Sequence, residues 1–328
     1  MRIAIDAMGG DHAPAANVEG ALQAAREWDD VELILVGDEA ALKPLLNEAN
    51  GRIRLHHAPD VILPDDEPAK AVRRKKDSSM VVAGRLVKEG AADAMISAGN
   101  TGALMATGLL VVGRIPGIER PALAPMIPTT DGVGVLALDL GANMDATPEQ
   151  LVQYAVMGSI YRSKVHGIAE PRVGLLNVGT EAMKGNELTK KAYALLTEAP
   201  VRFVGNVESR DVLTGVCDVL VCDGFVGNIM LKTLEGTAGM IFSVLKTEFT
   251  RSLWTKLAAA VLKPGLARFK KSMDYTEHGA APMLGISGLV LKSHGSSDAN
   301  AIKNAVRQAR IALQNDLAGA LAREFSGK

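Results

Sequence analysis

Six segments rich in glycine, asparagine and hydroxyl residues each follow a short apolar run, and together they supply the groups of an anion cradle. The first contains Asp6, Gly9, Gly10 and Asp11. Its paired glycines permit positive φ, so successive amides can cup a negative group at the next helix start. The second, with Ser97, Gly99, Asn100, Thr101 and Gly102, offers hydroxyl and amide donors in a compact nest. The third runs from Asp139 to Asn143. The fourth holds Asn177, Gly179, Thr180, Glu181 and Lys184, and the fifth holds Asp223, Gly224, Gly227 and Asn228. The sixth, with His294 and Ser296, leads into the last helix. Taken singly, each segment reads as an ordinary turn, because Gly and Asn are the default turn residues. Their recurrence after so many apolar runs reads as one cleft of amide donors with few free acids, a setting suited to phosphate.

Other chemistries lack their residues. Gly132-Val133-Gly134-Val135-Leu136-Ala137 matches the spacing of a dinucleotide fingerprint but lies inside a strand pattern instead of between strand and helix. No Walker loop, His-Glu-x-x-His pair, Cys-x-x-Cys pair or Gly-x-Ser-x-Gly elbow occurs, so neither a metal nor a cofactor is expected. Cys217 and Cys222 sit in or beside an apolar run and read as packing residues, which disfavours a covalent acyl-cysteine. Arg73-Arg74-Lys75-Lys76 reads as a solvated helix face that can also meet an acidic partner.

Strands are expected at Arg2–Asp6, Val31–Val36, Ile53–His57, Ala94–Ser97, Ala122–Ile127, Val133–Leu138, Arg172–Asn177, Val201–Val204 and Val219–Cys222. Helical patterns lie between them, as at Ala16–Trp28, Ser79–Glu89, Pro148–Arg162, Glu187–Leu196 and Gly227–Leu234. Apolar strands alternating with helices imply a mainly parallel sheet covered on both faces, with ligands beyond the strands' carboxyl ends. Asp298–Phe325 reads as one long helix or two, begun by a Ser-Ser-Asp cap. Residues 236–280 interrupt the alternation and read as a helical hairpin projecting from a single domain that spans 1–328. Its middle, Thr247–Lys271, is expected to break into two helices at Lys263-Pro264-Gly265. Leu253, Leu257 and Val261 form an apolar stripe beside Trp254, while Lys256, Lys263, Arg268 and Lys271 make the flanks basic.

The chain has 328 residues, 48% hydrophobic and 22% charged, which is ordinary for a globular protein with an ample core. A net charge of −1 supplies no global field toward nucleic acid or membrane, so any such contact must be a local patch. Two cysteines point to a reducing cytoplasm. No apolar run approaches the ~20 residues of a spanning helix, and the N-terminus turns polar too soon for a signal peptide.

In their order along the chain these segments resemble those of the bacterial acyl-acyl carrier protein:phosphate acyltransferases. The similarity runs through Ala4–Asp11, Arg73–Met80, Ser97–Ala103, Leu138–Asn143, Gly174–Glu181, Asp223–Asn228 and Lys292–Ser297, essentially the whole chain. It implies a Rossmann-like α/β/α fold, a homodimer, and transfer of a fatty acyl group from acyl carrier protein to orthophosphate in phospholipid synthesis. It also implies a cytoplasmic protein held peripherally at the inner membrane face.

On that resemblance, the enzyme needs alignment and charge control more than a strong base, because a thioester is already activated and phosphate is a competent nucleophile. Lys184 is the expected neutraliser of phosphate or the developing oxyanion, and Asn228 the expected amide donor at that oxyanion. Asn100, Thr101 and Gly102 would cradle phosphate, Gly9 and Gly10 would let backbone approach it, and His294 would protonate the thiolate or make a structural hydrogen bond. The hairpin would dock acyl carrier protein through its basic flanks, enter an anionic bilayer at its tip, or form the dimer contact. The alternatives are a phosphotransacetylase acting on short acyl-CoA, a nicotinamide-dependent decarboxylating dehydrogenase, and a carrier-protein-binding scaffold.

Overall fold

The computed structural model describes residues 1–46, 51–273 and 280–326, with side chains of 267–273 outside the description. Among the described residues twelve strands form two sheets. In chain order they are β1 (Arg2–Asp6), β2 (Glu32–Gly37), β3 (Ile53–His57), β4 (Ala94–Ser97), β5 (Ala122–Leu123) and β6 (Met126–Ile127), then β7 (Val135–Leu138), β8 (Arg172–Asn177), β9 (Arg202–Glu208), β10 (Val219–Val221), β11 (Ala281–Leu284) and β12 (Leu289–Lys292). One sheet has the order β3-β2-β1-β4-β12-β11-β5 and the other β6-β7-β10-β8-β9. Pairing is parallel except for β11 with β12 and β5, and β6 with β7. The mainly parallel sheet expected from the apolar runs is therefore present as two sheets.

The helices are α1 (Ala15–Glu27), α2 (Glu39–Leu42), α3 (Pro68–Arg74), α4 (Ser79–Lys88), α5 (Thr101–Thr107) and α6 (Pro148–His166), followed by α7 (Glu187–Glu198), α8 (Gly224–Thr250), α9 (Leu253–Met273), α10 (Ala299–Gln314) and α11 (Leu317–Phe325). Local chemistry starts several of them. Thr147 and Gln150 form a reciprocal capping box on α6, and Asp223, Asn186 and Asp298 accept from first-turn amides of α8, α7 and α10. The strands are buried on both faces: Ile3, Ile5, Leu33, Leu35 and Ile96 pack under α1 and α10, and Ala4, Val36, Met95 and Val290 under α4 and α5.

Three expectations are corrected. Ala122–Ile127 is two strands in different sheets, because Pro125 has no N–H to donate and the chain crosses there. Ala124 N donates to Pro282 O at 3.0 Å on one side, and Ala137 N to Pro125 O at 3.0 Å on the other. The hairpin bends at Arg251-Ser252, not at Lys263-Pro264-Gly265, and Pro264 lies inside α9. The bend is capped locally: Thr255 N donates to Ser252 Oγ at 3.2 Å and Ser252 N to Thr255 Oγ1 at 2.9 Å. Finally, α8 runs far beyond Leu234, and β11 and β12 had no strand expectation at all.

Candidate active site

A cleft of about 640 Å³ opens where the two sheets meet, at the carboxyl ends of their strands. Thr101 and Gly102 from α5, Gly141 and Ala142 after β7, Asn228 from α8, and Lys292 and His294 at the end of β12 line it. Met105, Leu109, Leu123, Met126, Leu140 and Leu231 form its apolar side. The arrangement joins a cluster of amide, imidazole and ammonium groups to an apolar slot within one cavity.

One wall is three interlocked loops. Asp6 is buried and accepts from Ser97 Oγ at 2.6 Å and from Met8 N at 3.3 Å. Burial pushes its carboxyl above the usual range, against bonds from Ser79, Ser97 and the Met8 and Gly9 amides. Asp11 N reaches Gly295 O at 2.8 Å, and Ser293 N reaches Ser97 O at 2.9 Å. A Cβ on Gly9 would stand 2.5 Å from Asp6 Oδ2 and 2.8 Å from Gly99 N. On Gly10, whose φ is +106°, it would meet Ala98 Cβ at 2.9 Å. Both glycines therefore face protein, and what their small size permits here is close loop packing. Asn100 caps α5 by accepting from Ala103 N at 3.0 Å, and its amide donates to Pro64 O at 3.0 Å.

The opposite wall is the seat of α8. Asp139, fully buried, accepts from Ala142 N at 3.0 Å and from Asn143 N and Nδ2 at 2.6 and 2.9 Å. Burial raises its carboxyl despite these bonds. Asn143 O in turn accepts from Gly224 N at 2.9 Å. A Cβ on Gly224 would lie 2.6 Å from Asn143 O, and one on Gly227 would overlap the Asp139 carbonyl. These two glycines let the first turn of α8 lie directly on the loop after β7. Asn228 is thereby held against Gly141, whose own Cβ position is 3.3 Å from Asn228 Oδ1.

Asn177, Gly179, Thr180, Glu181 and Lys184 are not in this cleft. Their loop closes on itself: Asn177 Nδ2 donates to Lys184 O at 3.2 Å, Lys184 N to Glu181 O at 3.0 Å, and Asn206 Nδ2 to Glu181 O at 2.8 Å. Asn177 and Asp223 line a second cavity of about 700 Å³ with Gly185, Asn186 and Arg210. The first turns of α8 separate the two cavities. Asn228, Leu231, Lys232 and Glu235 face the first, and Val226, Ile229, Met230 and Thr233 face the second. At 3.6 residues per turn these sets lie on opposite sides of the helix. Within one chain, Asn228 lines the first cavity, whereas the Lys184 side chain lines neither.

In the sequence Lys292 stands at the head of the Lys292–Ser297 stretch with no role assigned to it. Its Nζ donates to Ala98 O at 3.4 Å and to Ser293 O, and desolvation by burial brings its pKa down to about 8. The available signal was a lysine closing an apolar run, Leu289-Val290-Leu291, just before a loop of small polar residues. That run is short and follows Gly285 and Gly288, so it gave no strand expectation. His294 Nδ1 accepts from Ser296 N at 3.2 Å and lies 2.8 Å from Ser296 Oγ. In the neutral ring the hydrogen therefore sits on Nε2. Partial desolvation and then the Lys292 ammonium lower its pKa.

In the hairpin, Leu253, Trp254, Leu257 and Val261 are 79%, 82%, 61% and 81% exposed. Lys256 and Lys263 flank an apolar groove of about 510 Å³ between α8 and α9. The side chains of Arg268 and Lys271 lie outside the described residues. No described helix is long and apolar enough to cross a membrane. Cys217 and Cys222 are buried, and burial pushes the Cys217 thiol up to about 12.

The family described as "Fatty acid synthesis protein" matches this chain over residues 1–319. The chain is 60% identical over 325 residues to a phosphate acyltransferase of Geobacillus thermodenitrificans, covering 99% of each. It is 61% identical over 318 residues to a phosphate acyltransferase of Brevibacillus brevis, covering 97% of this chain and 95% of that one. Among solved structures, a phosphotransacetylase from Streptococcus pyogenes aligns over 95% of this chain and 94% of its own, with TM-score 0.62 at 17% identity. That likeness is one of fold.

Proposed function

This chain belongs to the fatty acid synthesis protein family and is a phosphate acyltransferase, and we propose that its reactants are fatty acyl-acyl carrier protein and orthophosphate. A phosphate oxygen attacks the thioester carbonyl, forming the C–O bond. The C–S bond then breaks and its electron pair leaves on the carrier-protein thiolate. The products are acyl phosphate and free carrier protein. The observation that carries this reading is the two-sided cleft: polar groups from four segments of the chain converge beside an apolar slot lined by Met105, Leu109, Leu123 and Met126. An acyl chain occupies the slot and its thioester lies at the polar end.

Alignment of two reactants in such a cleft is worth up to ~7–11 kcal/mol of barrier. Asn228, fixed by its contact with Gly141, donates an amide hydrogen to the tetrahedral oxyanion. His294 donates from Nε2 toward the departing sulfur. Thr101 and Gly102 face phosphate. Lys184, whose loop lies outside this cleft, is the proposed neutraliser of charge on phosphate or the oxyanion.

The chain acts as a homodimer through the exposed apolar strip of α8 that includes Met240, Ile241 and Val244. The tip of α9, with Leu253, Trp254, Leu257 and Val261, rests in the interface of an anionic membrane, and Lys256 and Lys263 attract it. The deciding experiment incubates pure protein with palmitoyl-carrier protein and phosphate and measures acyl phosphate. Phosphate-dependent release of thiol from the carrier protein, and none from acetyl-CoA, is the expected result. The reverse preference would assign the chain to short acyl-CoA.

A further inference from the structure

We infer that Lys292 is the phosphate-binding cation of the cleft, holding orthophosphate through the one ammonium hydrogen that the protein leaves open. The inference rests on the transferase reading above and names the group that seats its nucleophile. Lys292 ends β12 in register with Ser97, which ends β4, so two adjacent parallel strands deliver the lysine and the loop of Ser97–Gly102 to the same edge. Two of its three donors are used on neutral carbonyls, Ala98 O at 3.4 Å and Ser293 O. Those carbonyls fix the direction of the ammonium without cancelling its charge. Among the described residues no carboxylate lies within ion-pair distance of Nζ.

A partly buried ammonium with no carboxylate in contact, and only Asp6 and Asp11 acting on it at longer range, is costly, and an anion entering the cleft repays that cost. The charges around it leave room for one. Asp6, from β1, is buried, locked by Ser97 Oγ and shifted toward its neutral form. Asp11, in the loop after β1, faces Gly295. From α8, Lys232 and Glu235 neutralise each other at 2.8 Å. His294 is pushed toward its neutral form. Lys292 is therefore a cation lining the cleft with no contact ion pair among the described residues, Asp6 and Asp11 acting on it only at longer range. Asn228 and His294 line the same cavity, so a phosphate on Lys292 stands beside the groups that would handle the thioester.

The position also sets a pH limit. With the Lys292 pKa lowered to about 8 by desolvation, the open charge fades above that pH. Orthophosphate is already mostly dianionic there and becomes only more so as pH rises, so weakening of its binding belongs to the enzyme. The test compares wild type, Lys292→Met and Lys292→Arg. It follows phosphate-dependent acyl phosphate formation from pH 7 to 9.5, together with the melting temperature with and without orthophosphate. For wild type, the KM for phosphate should climb toward tenfold per pH unit above about 8. For Lys292→Arg the climb should vanish, because a guanidinium stays protonated. Lys292→Met should fold, raise the KM for phosphate at least tenfold at pH 7, and lose the melting-temperature gain that phosphate gives wild type.

A Lys292→Met protein with unchanged KM and an intact phosphate-induced gain would overturn the inference. So would a loss confined to kcat, which would move the ammonium to the thioester oxyanion. If wild type forms no acyl phosphate but alone gains stability from phosphate, the transferase reading falls and the anion site stands.

Discussion

Gly227 is the position where a single added methyl group should reach the chemistry. A Cβ there overlaps the Asp139 carbonyl and lies 2.8 Å from Cys222 Sγ and 2.9 Å from Leu140 Cδ2. Carbon contacts normally settle at ~3.5–4.0 Å, so the first turn of α8 must retreat by about an ångström. Nothing nearby yields easily: Asp139, Leu140 and Cys222 are all buried. Overpacking of this kind costs ~1–3 kcal/mol of stability. The same retreat lifts Asn228 from its seat against Gly141, and a displacement of that size costs ~10²-fold in rate. Gly236, two and a half turns further along α8, has nothing within 4 Å of its Cβ position. Gly236→Ala should therefore stabilise the helix by up to about 1 kcal/mol and leave turnover alone. The assay pairs urea unfolding midpoints with acyl phosphate formation for both variants. Wild-type kcat in Gly227→Ala, or equal destabilisation by the two substitutions, would refute the argument that this glycine exists to seat the helix.

Asn228→Ala should lower kcat by ~10²–10³ with the KM for phosphate nearly unchanged. A change in KM alone would mean that Asn228 holds the ground state. Lys184→Ala should reduce turnover at saturating phosphate, and wild-type turnover there would remove Lys184 from the mechanism. Asp218, 10% exposed at its side chain, accepts from Arg172 N, Nε and Nη2 at 2.8, 3.0 and 3.1 Å. Desolvation would raise its pKa, but the Arg172 bonds and charge outweigh it and hold the carboxyl below 3.8. Its stabilisation is therefore present above that value and is lost as pH falls through the depressed folded-state pKa. Asp218→Asn should cost about 2–3 kcal/mol in urea unfolding at pH 7, less than a fully buried pair because Arg172 is partly exposed, with the gap closing in acid. Leu257→Glu with Val261→Glu should abolish flotation with anionic liposomes while light scattering still reports a dimer. Loss of the dimer instead would assign α9 to the protomer contact.

Much of the architecture was legible because its causes are local. Short continuous apolar runs such as Val173–Leu176 and Leu33–Val36, alternating with helical patterns, read as strands covered on both faces, and the Ser-Ser-Asp cap ending at Asp298 announces the last helical region. The loops at strand ends were legible too, since glycine and asparagine after an apolar run mark where a parallel sheet presents its ligands. What the sequence could not determine was which of those loops share a cavity. Strand order decides that, and strand order is a matter of distant pairing. β12 inserts beside β4, nearly 200 residues earlier in the chain, and this alone brings Lys292 and His294 to Thr101 and Gly102. The crossing at Pro125 opens the cleft between two sheets, and the opposite faces of α8 divide Asn228 from the Lys184 loop. Propensity and pattern act over a few residues. Burial of a lysine, the fit of a helix onto Asp139 and the company a loop keeps are settled only when the whole core closes.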